Sequence, residues 1–208
     1  MNVIEQAKHD AVVDATAKLF IERSIAEVTI KDIADRIGIG EATVYRHFQN
    51  KANLVASSAN YLSKIVLTKY FDLTGAKTGY EKLELFYNSY KRIFAEHNEF
   101  FKFIKELDAY LLNNPDANGV YENGVDNFKT LWDEAYELGQ KDGTLRKLPN
   151  KDEFYYSTTH ALLELCKKLS GREVIRQDFG IDKESEISCL IAVFLYRIKE
   201  NVFLGGIR

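Results

Sequence analysis

Apolar side chains recur at helical spacing from the start of the chain. Ile4, Ala7, Ala11, Val12, Ala15, Leu19 and Phe20 fall on one face, with Glu5, Lys8, Asp14, Lys18 and Glu22 on the other, which predicts an amphipathic helix over about residues 5–23. Thr29 then opens a second pattern. It is a good N-cap, Asp32 stands three residues on as in a capping box, and Ile30, Ile33, Ala34 and Ile37 form one stripe. Gly38 sits where a left-handed C-terminal cap is wanted. After Ile39 and Gly40 another short helix follows, with Val44 and Phe48 turned inward. Two short helices joined by a brief Gly-containing turn make a helix-turn-helix. Asn50 can cap a fourth helix, whose face is Leu54, Val55, Leu62, Ile65 and Val66 and which runs to about Tyr70.

Five further helices follow, over about 79–97, 99–113, 120–140, 152–169 and 182–203. The breaks at 113–119, 141–150 and 170–181 each contain Gly, Pro or both. The pattern therefore predicts an all-α chain of about nine helices. An N-terminal three-helix part occupies residues 1–50 and a larger helical part residues 51–208, with the fourth helix bridging the two. No fixed-period repeat, long heptad run or low-complexity tract interrupts it.

Composition narrows the classes. Of 208 residues 46% are hydrophobic and only two are Pro, which excludes wholesale disorder and disfavours an all-β sandwich. The net charge of −3 argues against a surface coated for nucleic acid, but the charge is divided unevenly. Residues 1–70 carry nine Lys/Arg against eight Asp/Glu, and residues 71–208 carry 19 against 23. Cys166 and Cys189 are too few for a disulfide framework and lack metal-ligand spacing, as do the scattered His9, His47, His97 and His160, so no metal and no cofactor is expected. There is no secretory pattern at the start and no long apolar run, so the expectation is a cytoplasmic protein without a membrane segment. No Gly-rich phosphate loop, nucleophile elbow or paired carboxylates mark a catalytic site.

The second short helix holds the chemistry. Away from Val44 and Phe48 it presents Glu41, Ala42, Thr43, Tyr45, Arg46 and His47, with Gly40 before it and Lys51 after. A helix laid in the major groove needs donors, small residues for close approach and groups that reach phosphates. Arg46 and His47 can donate to base edges or phosphates, and Tyr45 reaches a phosphate or a thymine methyl. Ala42 and Gly40 admit the backbone. Lys51 suits a phosphate, as do the N–H groups of helix starts capped by Thr29 and Asn50.

Together these residues resemble the DNA-binding domain of TetR-family (tetracycline-repressor-type) transcriptional regulators. The resemblance is carried by Ala15, Leu19 and Phe20, by Thr29, Ile33 and Ala34, by Gly38, Thr43, Tyr45, His47 and Phe48, and by Lys51 and Leu54. Three positions depart from the usual pattern: Gly40 where Ser or Thr is common, Glu41 where Lys is frequent, and Ser24 where Gly usually ends the first helix. Glu41 either accepts from a cytosine amino group or points to solvent at its helix N-terminus.

The resemblance implies that residues 1–50 bind double-stranded DNA and that residues 51–208 bind an effector and dimerise. It implies a homodimer on a pseudo-palindromic operator, most often as a repressor, released when an effector moves the fourth helix. The implied dimer surface is built by the last two helices, through Ala161, Leu162, Leu165, Ile187, Ile191, Phe194, Leu195 and Ile198. For the effector, the aromatic supply of the C-terminal part suggests a largely apolar molecule near Tyr87, Tyr90, Phe94, Phe103, Phe128, Trp132 and His160. The alternatives are that these aromatics are simply core, that the regulator takes no small molecule, or that the chain is a small all-α enzyme or carrier.

Overall fold

The computed structural model describes residues 3–117, 126–171 and 180–200. Among these residues the fold is all-α. α1 spans Val3–Glu22, α2 Ile30–Ile37, α3 Glu41–Phe48, α4 Lys51–Tyr70 and α5 Gly79–His97. α6 spans Glu99–Leu112, α7 Asp126–Asp142, α8 Lys151–Ser170 and α9 Lys183–Ile198, with one 3-10 turn at Pro115–Ala117. The start expected for the seventh helix near residue 120 and the tail of the ninth beyond residue 200 lie outside the described residues.

The helix-turn-helix forms for local reasons. Thr29 is extended (φ −101°, ψ 163°) and its Oγ1 accepts from Asp32 N–H, while Asp32 Oδ2 accepts from Thr29 N–H at 2.7 Å. Those bonds hold the Asp32 carboxyl below its ordinary range, so the cap is present at neutral pH and is lost as pH falls through that lowered value. Gly38 ends α2 at φ 70°, and the Ile39 N–H returns to the Ala34 carbonyl at 3.0 Å. α3 starts at Gly40 without a side-chain cap, so α2 is fixed at both ends and α3 more weakly at its start. Thr29→Ala should cost about 1 kcal/mol. A melting temperature about 2–4 °C lower would match that, whereas no change would show that tertiary packing alone holds α2.

The described chain divides into two compact units. The first comprises residues 1–68 and 97–126, the second residues 69–96 and 127–208. In the first unit α1 packs on α2, α2 on α3, and α1 on α6. Its core includes Val12, Leu19, Phe20, Ile33, Val44, Phe48 and Leu54, with Phe20 stacked on Phe103 of α6 at 6.2 Å. The loop after α1 is gripped at one peptide: Ile25 N–H donates to Glu106 of α6 at 2.8 Å, and Lys51 Nζ donates to the Ile25 carbonyl. α4 is further tied to α1 by Tyr61, whose hydroxyl donates to Asp14 at 2.9 Å.

In the second unit α8 packs on α9, and α5 lies against α7 through Gly79 and Gly139. Asp142 and Thr144 cap the start of α5: Asp142 Oδ2 accepts from Gly79 N–H at 2.8 Å and Thr144 Oγ1 from Tyr80 N–H at 3.1 Å. The same connector stops α9. Arg146 N–H donates to the Ile198 carbonyl, Glu200 N–H donates to the Thr144 carbonyl and Leu145 pairs with Lys199, so α9 ends at Ile198 and Lys199 and Glu200 leave the helix.

Candidate functional site

α3 is held by two residues and leaves its remaining surface open. Val44 and Phe48 are buried; Gly40, Glu41, Ala42, Tyr45 and Arg46 are exposed, and Thr43 and His47 half-buried. Nearby, several charges are paired: Arg36 with Glu22 at 3.0 Å, Arg23 with Asp32 at 3.6 Å and Lys18 with Asp14 at 2.7 Å. Glu41, Tyr45 and Arg46 make no hydrogen bond or ion pair with the described residues. A short helix with a guanidinium, a phenol and a carboxylate free on one face, beside two small residues, fits the chemistry of base-edge reading.

Two of the expected contacts sit differently. Lys51 is half-buried and bound to the Ile25 carbonyl, and burial lowers its ammonium pKa, with Asp32 working the other way. In this geometry it ties the start of α4 to the loop after α1. The His47 Nε2 is sealed without a partner, and its ring lies 6.3 Å from His9, which stacks on Phe48 at 4.6 Å. Thr29 is exposed, but its hydroxyl serves the capping box.

The expected effector residues separate. Tyr87 and Trp132 are fully buried and satisfy one another: Trp132 Nε1 donates to the Tyr87 hydroxyl at 3.0 Å, which lies 2.8 Å from Thr158 Oγ1. Burial raises the Tyr87 phenol to about 12, against the pull of the Thr158 and Trp132 hydrogen bonds. Phe94 is buried in the same unit. Phe128 lies 5.0 Å from Phe71, and Phe71 is edge-on to Tyr90 at 5.7 Å and to Phe86 at 5.1 Å. Phe103 belongs to the other unit, against Phe20. His160 is exposed beside Tyr156, so it does not share the aromatic cluster. Phe71 directly follows α4, outside the helical patterns that mark the other aromatics, so no periodicity in the sequence points to it.

The α8–α9 surface needs a correction. Leu162, Ile187, Ile191, Leu195 and Ile198 are buried within the chain itself, at 0–6% exposure, so they are not available to a partner. Leu165 and Phe194 are half-buried, and only Ala161 of the expected set is exposed. The open apolar face of α9 is instead Cys189, Ala192, Val193 and Tyr196, spaced as i, i+3, i+4, i+7, with Tyr156 exposed on α8. α9 is apolar over more than one stripe, and periodicity does not say which stripe the monomer uses. Cys166 is buried, its thiol raised to about 12 by desolvation, whereas Cys189 is exposed. Among the described residues no cluster of His, Cys, Asp and Glu fits a metal ion, and no helix is long and apolar enough to cross a membrane.

Known proteins agree with this geometry. A family model described as bacterial regulatory proteins, tetR family, matches residues 12–57. The chain is 28% identical over 144 residues to the HTH-type transcriptional repressor KstR2 of Rhodococcus jostii, covering 68% of this chain and 70% of that protein. The ketosteroid transcriptional regulator KstR2 of Mycobacterium tuberculosis superposes with a TM-score of 0.59 at 17% identity, over 93% of this chain and 96% of that one. A TetR transcription regulator from Haloarcula marismortui superposes with a TM-score of 0.72 at 15% identity, over 94% and 100%. These relatives are transcriptional regulators and not enzymes.

Proposed function

We propose that the chain, whose residues 12–57 match the tetR-family model, is a TetR-family DNA-binding transcriptional regulator, and within that reading a homodimeric repressor that leaves its operator when a largely apolar small molecule binds residues 51–208. The observation that carries the DNA contact is the unengaged face of α3, Gly40, Glu41, Ala42, Tyr45 and Arg46, whose polar side chains make no hydrogen bond or ion pair with the described residues. In this reading Arg46 and Glu41 address base edges, Tyr45, Thr43 and His47 take phosphate or sugar, and Thr29 and Lys51 set the helix starts that approach the backbone. A two-fold dimer presents one α3 per subunit, so the operator is pseudo-palindromic with half-sites about 34–36 Å apart or a multiple of that. As a regulator of the bacterial type that binds DNA directly, it works in the cytoplasm in this reading.

The relative's printed name, repressor, supports the sign of regulation, and the ketosteroid regulator's title supports an apolar effector. The end of α4 supports the coupling. Tyr70 donates to Glu96 at 2.9 Å, Ser89 donates to the Tyr70 carbonyl at 2.7 Å, and Phe71 enters the Tyr90–Phe86–Phe128 cluster. A molecule entering beside Tyr90 meets Phe71 and so bears on the helix whose other end is tied to Ile25. A coupling of about 1–3 kcal/mol, or 5–150-fold in operator affinity, is the ordinary scale for such linkage.

The test is a gel shift on the DNA upstream of the protein's own gene. Arg46→Ala should weaken the best site by about 1–3 kcal/mol and relax preference at one base pair, because a bidentate base contact carries that much discrimination. If Arg46→Ala and Tyr45→Ala together leave affinity and preference unchanged in a folded protein, α3 is not the reading element.

A further inference from the structure

The aromatic cluster beside α4 restricts the chemistry of what enters it. Tyr90 of α5 is half-buried, edge-on to Phe71 and tilted against Phe86 at 6.2 Å. Its hydroxyl makes no hydrogen bond with the described residues. The neighbouring Tyr87 differs, because Trp132 and Thr158 occupy its hydroxyl on both sides.

Protein surrounds the Tyr90 hydroxyl closely enough for burial to push its titration well above the ordinary phenol value, so the group is a neutral O–H donor at any physiological pH. Yet the side chain keeps accessible surface, and its oxygen is not among the sealed, unpartnered atoms such as Ser58 Oγ. A hydroxyl that is enclosed, unbonded and still reachable faces a recess; in a tightly packed site a buried polar group finds a partner.

Among the described residues no charged group acts on Tyr90. The groups acting on Tyr90 through space are Tyr155, Tyr87 and Cys166, all uncharged near neutral pH, and no Asp, Glu, Lys, Arg or His of the described residues joins them. Lys129 stands over the Tyr155 ring at 5.6 Å but is already paired with Asp133 and Asp152. Arg92 lies over the Tyr70 ring at 5.5 Å. An anion or cation entering beside Tyr90 would be desolvated without a counter-charge, which is opposed far more strongly than burial of a neutral carbonyl.

We infer that the effector is an electrically neutral, ring-rich molecule whose carbonyl or ether oxygen accepts a hydrogen bond from the Tyr90 hydroxyl, within the recess bounded by Phe71, Phe86 and Phe128. This rests on the proposal that the effector enters beside Tyr90. It goes further in excluding carboxylates, phosphate esters and ammonium compounds as the part of the ligand that sits there. Tyr90 is a recognition residue, and its neighbours supply the apolar walls.

Three fluorescent probes test this on the full chain. N-phenyl-1-naphthylamine is neutral, 1-anilinonaphthalene-8-sulfonate is the same aromatic body with an anionic group, and prodan is a neutral naphthyl ketone. The neutral arylamine should bind at least tenfold more tightly than the sulfonate, with energy transfer from Trp132, the single tryptophan. Tyr90→Phe, which removes only the oxygen, should weaken prodan about threefold to tenfold, the range for a lost neutral hydrogen bond, and leave the arylamine within about twofold. Tyr90→Trp fills the recess and should displace both neutral probes. Sulfonate binding as tight as the arylamine's and abolished by Tyr90→Trp would overturn the neutral-ligand inference while keeping the recess. Neutral probes that ignore Tyr90→Trp would overturn the assignment to Tyr90. No binding by any probe would remove the recess as an effector site and the inference with it.

Discussion

Gly79→Ala is expected to lower the melting temperature by roughly 6–12 °C, the equivalent of about 3 kcal/mol in a chain of this size. A Cβ on Gly79 would lie 2.1 Å from Gly139 N, 2.3 Å from Gly139 Cα and 2.5 Å from the Ala135 carbonyl oxygen. All three are backbone atoms of α7, so no side chain can rotate away and α5 must part from α7. Helix propensity favours Ala over Gly by about 1 kcal/mol, too little to offset that overlap. The displacement would also pull Gly79 N–H from Asp142, bonded at 2.8 Å. Gly139→Ala should cost less, because its Cβ meets the movable Leu145 side chain at 2.3 Å. Gly75→Ala, with open space around it, is the control and should stay within about 0.5 kcal/mol of the parent. Thermal unfolding followed by circular dichroism orders the three. A Gly79→Ala protein as stable as Gly75→Ala would mean that α5 and α7 do not approach this closely.

Val193→Asp should separate the proposed dimer and weaken operator binding on the order of 100-fold or more, since a subunit alone loses the gain from engaging two half-sites at once. Val193 is 59% exposed on the face that also carries Tyr196 at 78%, so in a lone chain the carboxylate stays in water and the fold is kept. In the proposed interface the same carboxylate would be buried without a partner, opposite its own symmetry mate. Leu195→Asp makes the contrast: at 6% exposure its charge enters the core of the monomer and should unfold the chain instead of dissociating it. Sedimentation and a gel shift on one operator, at fixed salt, read both quantities. A Val193→Asp protein that remains dimeric and binds as before would place the interface on another surface.

Local signals were legible because each acts over a few residues. The Thr29 and Asp32 capping box, the Gly38 stop and the brief turn into α3 are contained within residues 29–48, and the structure forms them there. Most described helix limits followed within a few residues for the same reason, but α9 is cut at Ile198 by a connector more than fifty residues earlier in the chain. The outward face of α3 was readable too, since a helix of eight residues anchored by Val44 and Phe48 has only one other side.

Other features depended on distant partners. Nothing near Glu106 in the chain indicates that its carboxylate caps Ile25, and nothing near Lys51 shows that its ammonium is held by the same peptide. The aromatic residues gave no clue to which hydroxyl is satisfied. Tyr87 and Tyr90 stand three residues apart on α5, yet one ends in a hydrogen-bonded chain and the other makes no hydrogen bond with the described residues.

By itself, then, the sequence determined the helices, the capped turn between α2 and α3, and the residues that α3 turns outward, because hydrophobic period and capping chemistry are local. Tertiary structure alone decided which apolar stripe of α8 and α9 became core and which stayed open, where Phe103 went, and which tyrosine was left without a partner. Those outcomes turn on which surfaces meet when helices far apart in the chain pack, and a helix apolar on more than one side carries no local mark of that choice.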